Sequence, residues 1–459
     1  MRGAKAYAAL LVLAVTWPFL LPGGAFALRD MMVLPDMALT RAALGFGDLP
    51  ARNVPQDALL GILPFPVLAV RAIVIASAGC AAWAGWRAAP HAWGKAAAMT
   101  VAVWNPFVVE RLLQGQWSLA VAGWLMPLIA VAPAWGWRWL ASLTPTGALA
   151  AVAASRTWGT AVFSAALCLP WVVGGALAGP GTSSAASAEV FAPRAEAGAG
   201  TLGSLAGLGG IWNAAAVPAS REAGFALFGV ALFVLLALGW RGVERRLLLL
   251  AGAGFALALL SWAGALTWAV ATLPGGGLLR DAHKGLILAI PAFVQAAAAL
   301  PTRRAVAALA LALLQVPDAP VALAALRPVA EVEVPAVDDR GRDVFFVDRP
   351  ALILRGDGAP AVDPAPKVMN VVEPGELVVD GVVVDQASAR WREAADSLGD
   401  AGALRALGVG LVVYPDGRVV DTGAPARGLP AAGVALLALW IGAGLVAAVR
   451  AGTTWRRGS

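Results

Sequence analysis

Residues 105–117 read Asn-Pro-Phe-Val-Val-Glu-Arg-Leu-Leu-Gln-Gly-Gln-Trp, a polar insertion between two apolar runs that carries Glu110, Arg111, Gln114 and Gln116. Pro106 disfavours helical geometry at Asn105, so the preceding span is expected to end there. A helix resuming after the proline sets Glu110, Gln114 and Trp117 at i, i+4 and i+7, on one face. Trp104 and Trp117 bracket the segment, as tryptophans do at a water–lipid boundary. Two readings stand: an interfacial loop whose polar groups meet water, or a site at the membrane surface.

The composition sets the class. The chain is 59% hydrophobic and 14% charged, against roughly 45–50% and about 25% in soluble domains. Several runs are long enough to cross a bilayer, which takes roughly 18–20 apolar residues. The expected fold is therefore an α-helical polytopic membrane protein. Its net charge of +6 lies mostly in short loops and tails, where it sets orientation and carries no nucleic-acid signal. Cys80 and Cys168 both fall in apolar runs and are expected to be free thiols. The two histidines, His91 and His283, are far apart, and no zinc spacing, Walker, Rossmann or nucleophile-elbow motif occurs.

The first span is expected over Tyr7–Leu28, with Ala25-Phe26-Ala27 as an alternative signal-peptidase site. An outer loop from Arg29 to Ala58 follows, with Asp30 at the membrane surface beside Arg29. A carboxylate at that depth is a solvated or Arg-paired acid, or a general base for a hydroxyl acceptor. Further spans are expected at Leu59–Trp83, from Ala96 to just past Trp104, and at Ser118–Pro133. Trp139–Ala154, broken by Leu-Thr-Pro-Thr-Gly, is read as a re-entrant pair of half-helices, which keeps Arg241, Arg245 and Arg246 inside. Thr157–Ala178 leads to an outer segment, Gly179–Glu222, whose first half reads as flexible and whose second half holds Gly-Gly-Ile-Trp-Asn at 209–213. Ala223–Trp240, Leu247–Thr272, Gly285–Leu300, Ala305–Ala322 and Leu429–Val449 bring the count to about ten spans. His91 and Arg138 fall in the expected cytoplasmic turns. At 274–284, Pro-Gly-Gly-Gly-Leu-Leu-Arg-Asp-Ala-His-Lys approaches a helix start with Arg280, Asp281, His283 and Lys284. That composition suits an anion such as phosphate, or an ion-paired helix start.

Three regions result: a membrane domain over 1–322, a small α/β domain over 323–428, and a last span with a basic tail over 429–459. Alternating runs at 343–348 and 376–385 read as strands, and Asp380-Gly381 and Asp416-Gly417 as hairpin turns. Asp338, Asp339, Asp343 and Asp348 read as solvated surface. Parity puts both termini in the cytoplasm of a plasma-membrane protein. It puts Asp30, the 110–117 group, Trp212-Asn213, Arg280–Lys284 and the α/β domain together on the outer face.

The 105–117 run resembles a motif of multispanning actinobacterial cell-envelope proteins related to GT-C glycosyltransferases. Arg-Asp-Ala-His-Lys at 280–284 is similar to the Arg-Asp-x-x-Lys of the same proteins, and 209–213 and the pattern around Leu44–Asp57 are similar too. The resemblance covers most of the membrane part. It implies an inverting transfer on the outer face, from a polyprenyl-phosphate sugar to an envelope glycan or glycolipid, in contact with membrane lipid and no nucleic acid. Under it, Asp30 is the base candidate. Glu110, Arg111, Gln114 and Gln116 order the pocket or bind sugar hydroxyls, with Asn213 beside them. Trp117 and Trp212 stack on sugar or isoprenoid, and Arg280, Asp281 and Lys284 form the donor-phosphate end. The chain departs from the pattern in having no adjacent acidic pair after the first span, only Asp30 and Asp36; no metal ligands are assigned, and a divalent metal is left open. The competing readings are a non-catalytic envelope-assembly or lipid-binding protein of the same fold, and a transporter of lipid-linked sugars.

Overall fold

The computed structural model describes residues 2–177, 183–273, 275–379 and 381–456. Residues 179–182 of the expected flexible segment, Pro274, Asp380 of the expected turn and Arg457 of the basic tail lie outside it. The chain is predominantly helical. Among the described residues seven helices are long and apolar enough to cross a membrane: Gly3–Leu20, Pro66–Ala88, Ala92–Leu113, Arg245–Trp262, Ala282–Ala299, Thr302–Leu326 and Ala431–Arg450. The pair Trp158–Ala166 and Leu169–Leu177, bent by 44°, makes an eighth if it is one span.

Two of the ten expected spans are too short. The run at 118–133 forms the helix Trp117–Val131, only 15 residues long with Pro127 inside it. At about 1.5 Å per residue that falls well short of a hydrocarbon core about 30 Å thick. The run at 223–240 forms the 12-residue helix Ala226–Ala237, because Gly224, at φ +96°, kinks the chain before it. The half-helix pair is present as Trp135–Ala141 and Pro145–Ala153. Arg138, in the first of them, is fully buried, where the sequence reading puts it in a cytoplasmic turn. Its guanidinium donates to the carbonyls of Ile129 (3.0 Å) and Ala151 (2.6 Å), tying together two helix ends whose last carbonyls have no intrahelical donor. His91, half-buried, accepts from the Gly94 amide and bonds the Leu300 carbonyl, so it caps one helix and pins the end of another. The last span docks on this region through stacked Trp139 and Trp440, ring centroids 4.3 Å apart.

The first span also stops early. Its helix ends at Leu20, and Gly23-Gly24 lead into a hairpin, β1 (Phe26–Leu28) and β2 (Met31–Val33), all six residues buried. Ala25-Phe26-Ala27 is thus part of a packed strand region. Leu28 pairs with Met31, leaving Arg29-Asp30 as a two-residue turn. Asp30 is carried by that turn, not by the end of the first span's helix, and its amide donates to the Gln114 carbonyl at 3.1 Å, just past the end of the span Ala92–Leu113.

After Leu326 come β3 (Val344–Phe346), β4 (Leu352–Leu354), β5 (Pro360–Val362), β6 (Leu377–Val379), β7 (Val382–Asp385), β8 (Leu411–Val413) and β9 (Val419–Asp421). The order β3-β8-β9 makes a small sheet, β3 parallel to β8 and β9 antiparallel. β4–β5 and β6–β7 are separate antiparallel hairpins. Phe345, Val412 and Leu404 fill the core beneath the helices Ala389–Asp396 and Ala401–Ala406. Asp343, read as solvated, is 2% exposed and pairs with Arg390 at 2.8 Å and with Arg427. This region is bound to the first loop: Asp57 to Lys367 at 2.6 Å, and Asp48 to Arg390 at 3.3 Å.

Candidate functional site

Asn105 makes the turn that starts the 105–117 segment. Its side chain accepts from the Val108 amide and donates to the carbonyls of Val101 and Ala102, closing one helix and opening the next. Pro106 sits at the first helical position, where a missing N–H is harmless. The helix Pro106–Leu113 ends at Gly115, φ +83°, so Glu110, Gln114 and Trp117 do not share one helical face as the i, i+4, i+7 spacing predicts. A Cβ on Gly115 would lie 2.3 Å from the Leu28 carbonyl oxygen and 2.4 Å from the Met31 nitrogen. Glycine is therefore what lets the Asp30 turn sit directly on this loop. Trp104 and Trp117 are 7% and 1% exposed. They are core anchors and not interfacial rings, and Trp117 offers no open face for a sugar.

Two buried ion networks radiate from adjacent residues. Glu110, fully buried, accepts from the Ile211 amide at 3.0 Å and lies 3.4 Å from Arg221 Nε. Arg221 also holds Glu196 through Nε (2.9 Å) and Nη2. A Cβ on Gly209 would meet Arg221 Nη2 at 2.2 Å, which accounts for a glycine in the Gly-Gly-Ile-Trp-Asn run. Arg111, also fully buried, binds Asp281 in a fork, Nη1 to Oδ2 at 2.7 Å and Nη2 to Oδ1 at 3.1 Å. Arg111 Nη2 meets His283 Nδ1 at 2.6 Å, and His283 Nε2 meets the Gly209 carbonyl at 2.9 Å. A guanidinium can only donate, so Nδ1 accepts and Nε2–H donates to Gly209. Burial pushes the Asp281 carboxyl up, but Arg111 and Lys284 outweigh it and hold it down at about 2.

The outer layer rests on this base. Arg111 Nη1 donates to Gln116 Oε1 at 2.9 Å, and Gln116 Nε2 donates to Asp30 Oδ2 at 2.9 Å. Asp30 is exposed. Its own turn is strained, with Arg29 at φ +48°, a conformation costing an L-residue about 1–2 kcal/mol. The Arg29 guanidinium offsets this by donating to the Leu113 and Ala215 carbonyls. The Asp30 amide donates to the Gln114 carbonyl at 3.1 Å, and Asn213 Nδ2 donates to Gln114 Oε1 at 2.7 Å. Lys284 Nζ lies 3.3 Å from Asp281 Oδ2, and both Lys284 and Arg52 are within electrostatic reach of Asp30. Arg280 stacks on the Phe191 ring at 4.1 Å, and Phe191 meets Trp212 edge-on at 4.5 Å. Trp212 is half-buried, its Nε1 buried without a hydrogen-bond partner.

The structure therefore brings Asp30, Gln116, Arg111, Asp281 and Lys284 into one connected cluster. Glu110 belongs to a second network behind it, and Trp212 and Arg280 flank it. Sequence reading missed Glu196, Arg221, Arg52 and Asp385. Glu196 and Arg221 each stand beside a charge of opposite sign, Arg194 and Glu222, in an otherwise Ala/Gly/Ser-rich segment, the one signal available. Among the described residues no group of three or more His, Cys, Asp or Glu is disposed to hold a metal ion. Cys80 and Cys168 are free.

Fold and site together are those of a helical, polytopic membrane protein with a buried ionic core under an exposed carboxylate. No protein-family model, curated protein or solved structure matches the chain.

Proposed function

We propose that the protein is a GT-C-like glycosyltransferase of the outer membrane face, moving a sugar from a polyprenyl-phosphate donor to an envelope glycan or glycolipid. The observation that carries this reading is Asp30. It is an exposed carboxylate on a strained turn, aimed by Gln116 from the buried Arg111–Asp281 pair, with Arg52 and Lys284 within electrostatic reach. In the reaction Asp30 takes the proton of the acceptor hydroxyl, whose oxygen attacks the anomeric carbon. The bond from that carbon to the phosphate oxygen breaks, and the phosphate leaves as an anion toward Arg280 and Lys284. Glu110, Arg111 and Gln114 order the site from behind, and Trp212 with Phe191 forms its aromatic wall.

A second reading, a non-catalytic assembly or lipid-binding protein of the same architecture, has its own support. Asn105, Glu110, Arg111 and Gln114 are all engaged inside the fold. One experiment separates the two: a deletion strain complemented with wild type or Asp30→Asn at matched membrane levels, with envelope glycan linkages measured. Loss of one linkage with Asp30→Asn supports transfer and names the sugar. Full complementation sinks Asp30 as base and leaves the second reading.

A further inference from the structure

Arg29 and Asp30 share one two-residue turn, but their side chains meet different surroundings. Asp30 receives Gln116 in the cluster with Arg111 and Asp281, whereas Arg29 reaches the Leu113 and Ala215 carbonyls. There Arg29 lines a cavity of about 260 Å³ with Leu113, Val217, Pro218, Val321 and Ala322. Among the described residues, Arg29 and Asp318 are its only charged lining. Asp318 accepts from the Ser220 amide at 2.9 Å and from Ser220 Oγ. Both charges are thus engaged within the fold, and a lining that is otherwise aliphatic favours an apolar occupant over ordered water.

Val321 is 76% exposed and belongs to the span Thr302–Leu326, along which Val306 and Leu314 are exposed too. Exposed apolar side chains on a span meet hydrocarbon. Val321 is common to that lipid-facing surface and to the cavity, so the cavity opens toward the bilayer. Its volume lies just below that of small-molecule pockets, roughly 300–1,000 Å³, and suits part of one aliphatic chain. Arg280 and Lys284 are not among its lining residues, and Asp318 repels a phosphate. Adjacent Cα atoms are about 3.8 Å apart, so a chain that leaves the cavity past Arg29 emerges at the exposed Asp30. We propose that the cavity holds the aliphatic chain of an uncharged, lipid-anchored acceptor, whose sugar hydroxyl then lies at Asp30. This names the acceptor class of the transfer reading above and rests on that reading.

The test uses the full chain in lipid nanodiscs and dodecyl glucoside carrying a diazirine in its chain, with labelled peptides mapped by mass spectrometry. Labelling at 217–219 and 321–325 should saturate. Excess unlabelled dodecyl glucoside should lower it by about tenfold or more, and dodecyl phosphate at the same concentration far less. Ala322→Phe, which adds a ring to the cavity wall, should remove this labelling and spare that around Leu249, 75% exposed on the span Arg245–Trp262. Labelling that does not saturate, that survives Ala322→Phe, or that dodecyl phosphate displaces as well as the glucoside overturns the proposal; the last outcome assigns the cavity to an anionic lipid. Displacement is read on wild type, so the proposal stays testable even where Ala322→Phe folds poorly. Asp30→Asn should label as wild type does. Saturable labelling with full complementation by Asp30→Asn removes the transfer step and leaves the lipid site. A glycan linkage lost in Asp30→Asn without saturable labelling of wild type removes the lipid acceptor and leaves transfer.

Discussion

Removing the charge of Asp281 exposes how much the candidate site depends on the ion pair beneath it. Arg111 is wholly buried and Asp281 is 4% exposed at its side chain. The Asp281 carboxyl falls from 3.8 to about 2 in the fold. At about 1.4 kcal/mol per pKa unit this is a contribution of about 2 kcal/mol. The folded value lies below the unfolded one, so the contribution is complete above about pH 4 and disappears as pH falls through about 2. Asp281→Asn goes further, because it strands the Arg111 guanidinium with only Gln116 and His283. Breaking a buried pair in that way costs about 3–5 kcal/mol. Arg111→Met strands Asp281 instead, although Lys284 remains beside it, so its cost should be smaller. The double variant should be less destabilised than the sum of the singles, by about 2 kcal/mol. The assay is unfolding of the purified protein in mixed micelles, run as a double-mutant cycle. A single-variant cost under about 1 kcal/mol, or strict additivity, would refute the claim that this pair is the anchor of the site.

Two further perturbations follow from the same geometry. Gly115→Ala adds a Cβ 2.3 Å from the Leu28 oxygen at a residue with φ +83°; left-handed strain of about 1–2 kcal/mol and overpacking of about 1–3 kcal/mol should both appear as a lowered melting temperature. A normal melting temperature would show that the hairpin and the loop can separate freely. Burial and the neighbouring Asp48 raise the Glu373 carboxyl to about 7, against the opposite pull of Lys367. Its folded value is above the unfolded one, so its contribution is present below about pH 4.5 and is lost as pH rises through about 7. Melting temperature should fall as pH rises from about 4.5 to about 7 in wild type and stay flatter in Glu373→Gln; identical slopes would remove Glu373 as the cause.

What the sequence discloses and what it hides divides along one physical line. Asn105-Pro106 announces its cap because capping and proline chemistry are local, and the helix break falls there. The apolar runs announce helices because hydrophobic length is also local, although Trp117–Val131 shows that an apolar run need not be long enough to span. Partner choice is not local. Asp281 and Arg111 are 170 residues apart, Asp30 and Gln116 are 86 apart, and Arg280 and Asp385 are 105 apart. Nothing in the spacing of either partner specifies the other. The same limit explains the tryptophans: an interfacial belt and a core anchor have the same flanking residues, and only tertiary packing made Trp117 a core residue. It also explains Asp30, expected at a span end and found on a hairpin turn. That turn is held by β5, more than 300 residues later: the Arg29 amide donates to the Pro360 carbonyl and the Val362 amide donates to the Arg29 carbonyl. The exposed acid was therefore legible as a residue, whereas its aim, through Gln116 to Arg111, belongs to contacts that only the folded chain makes.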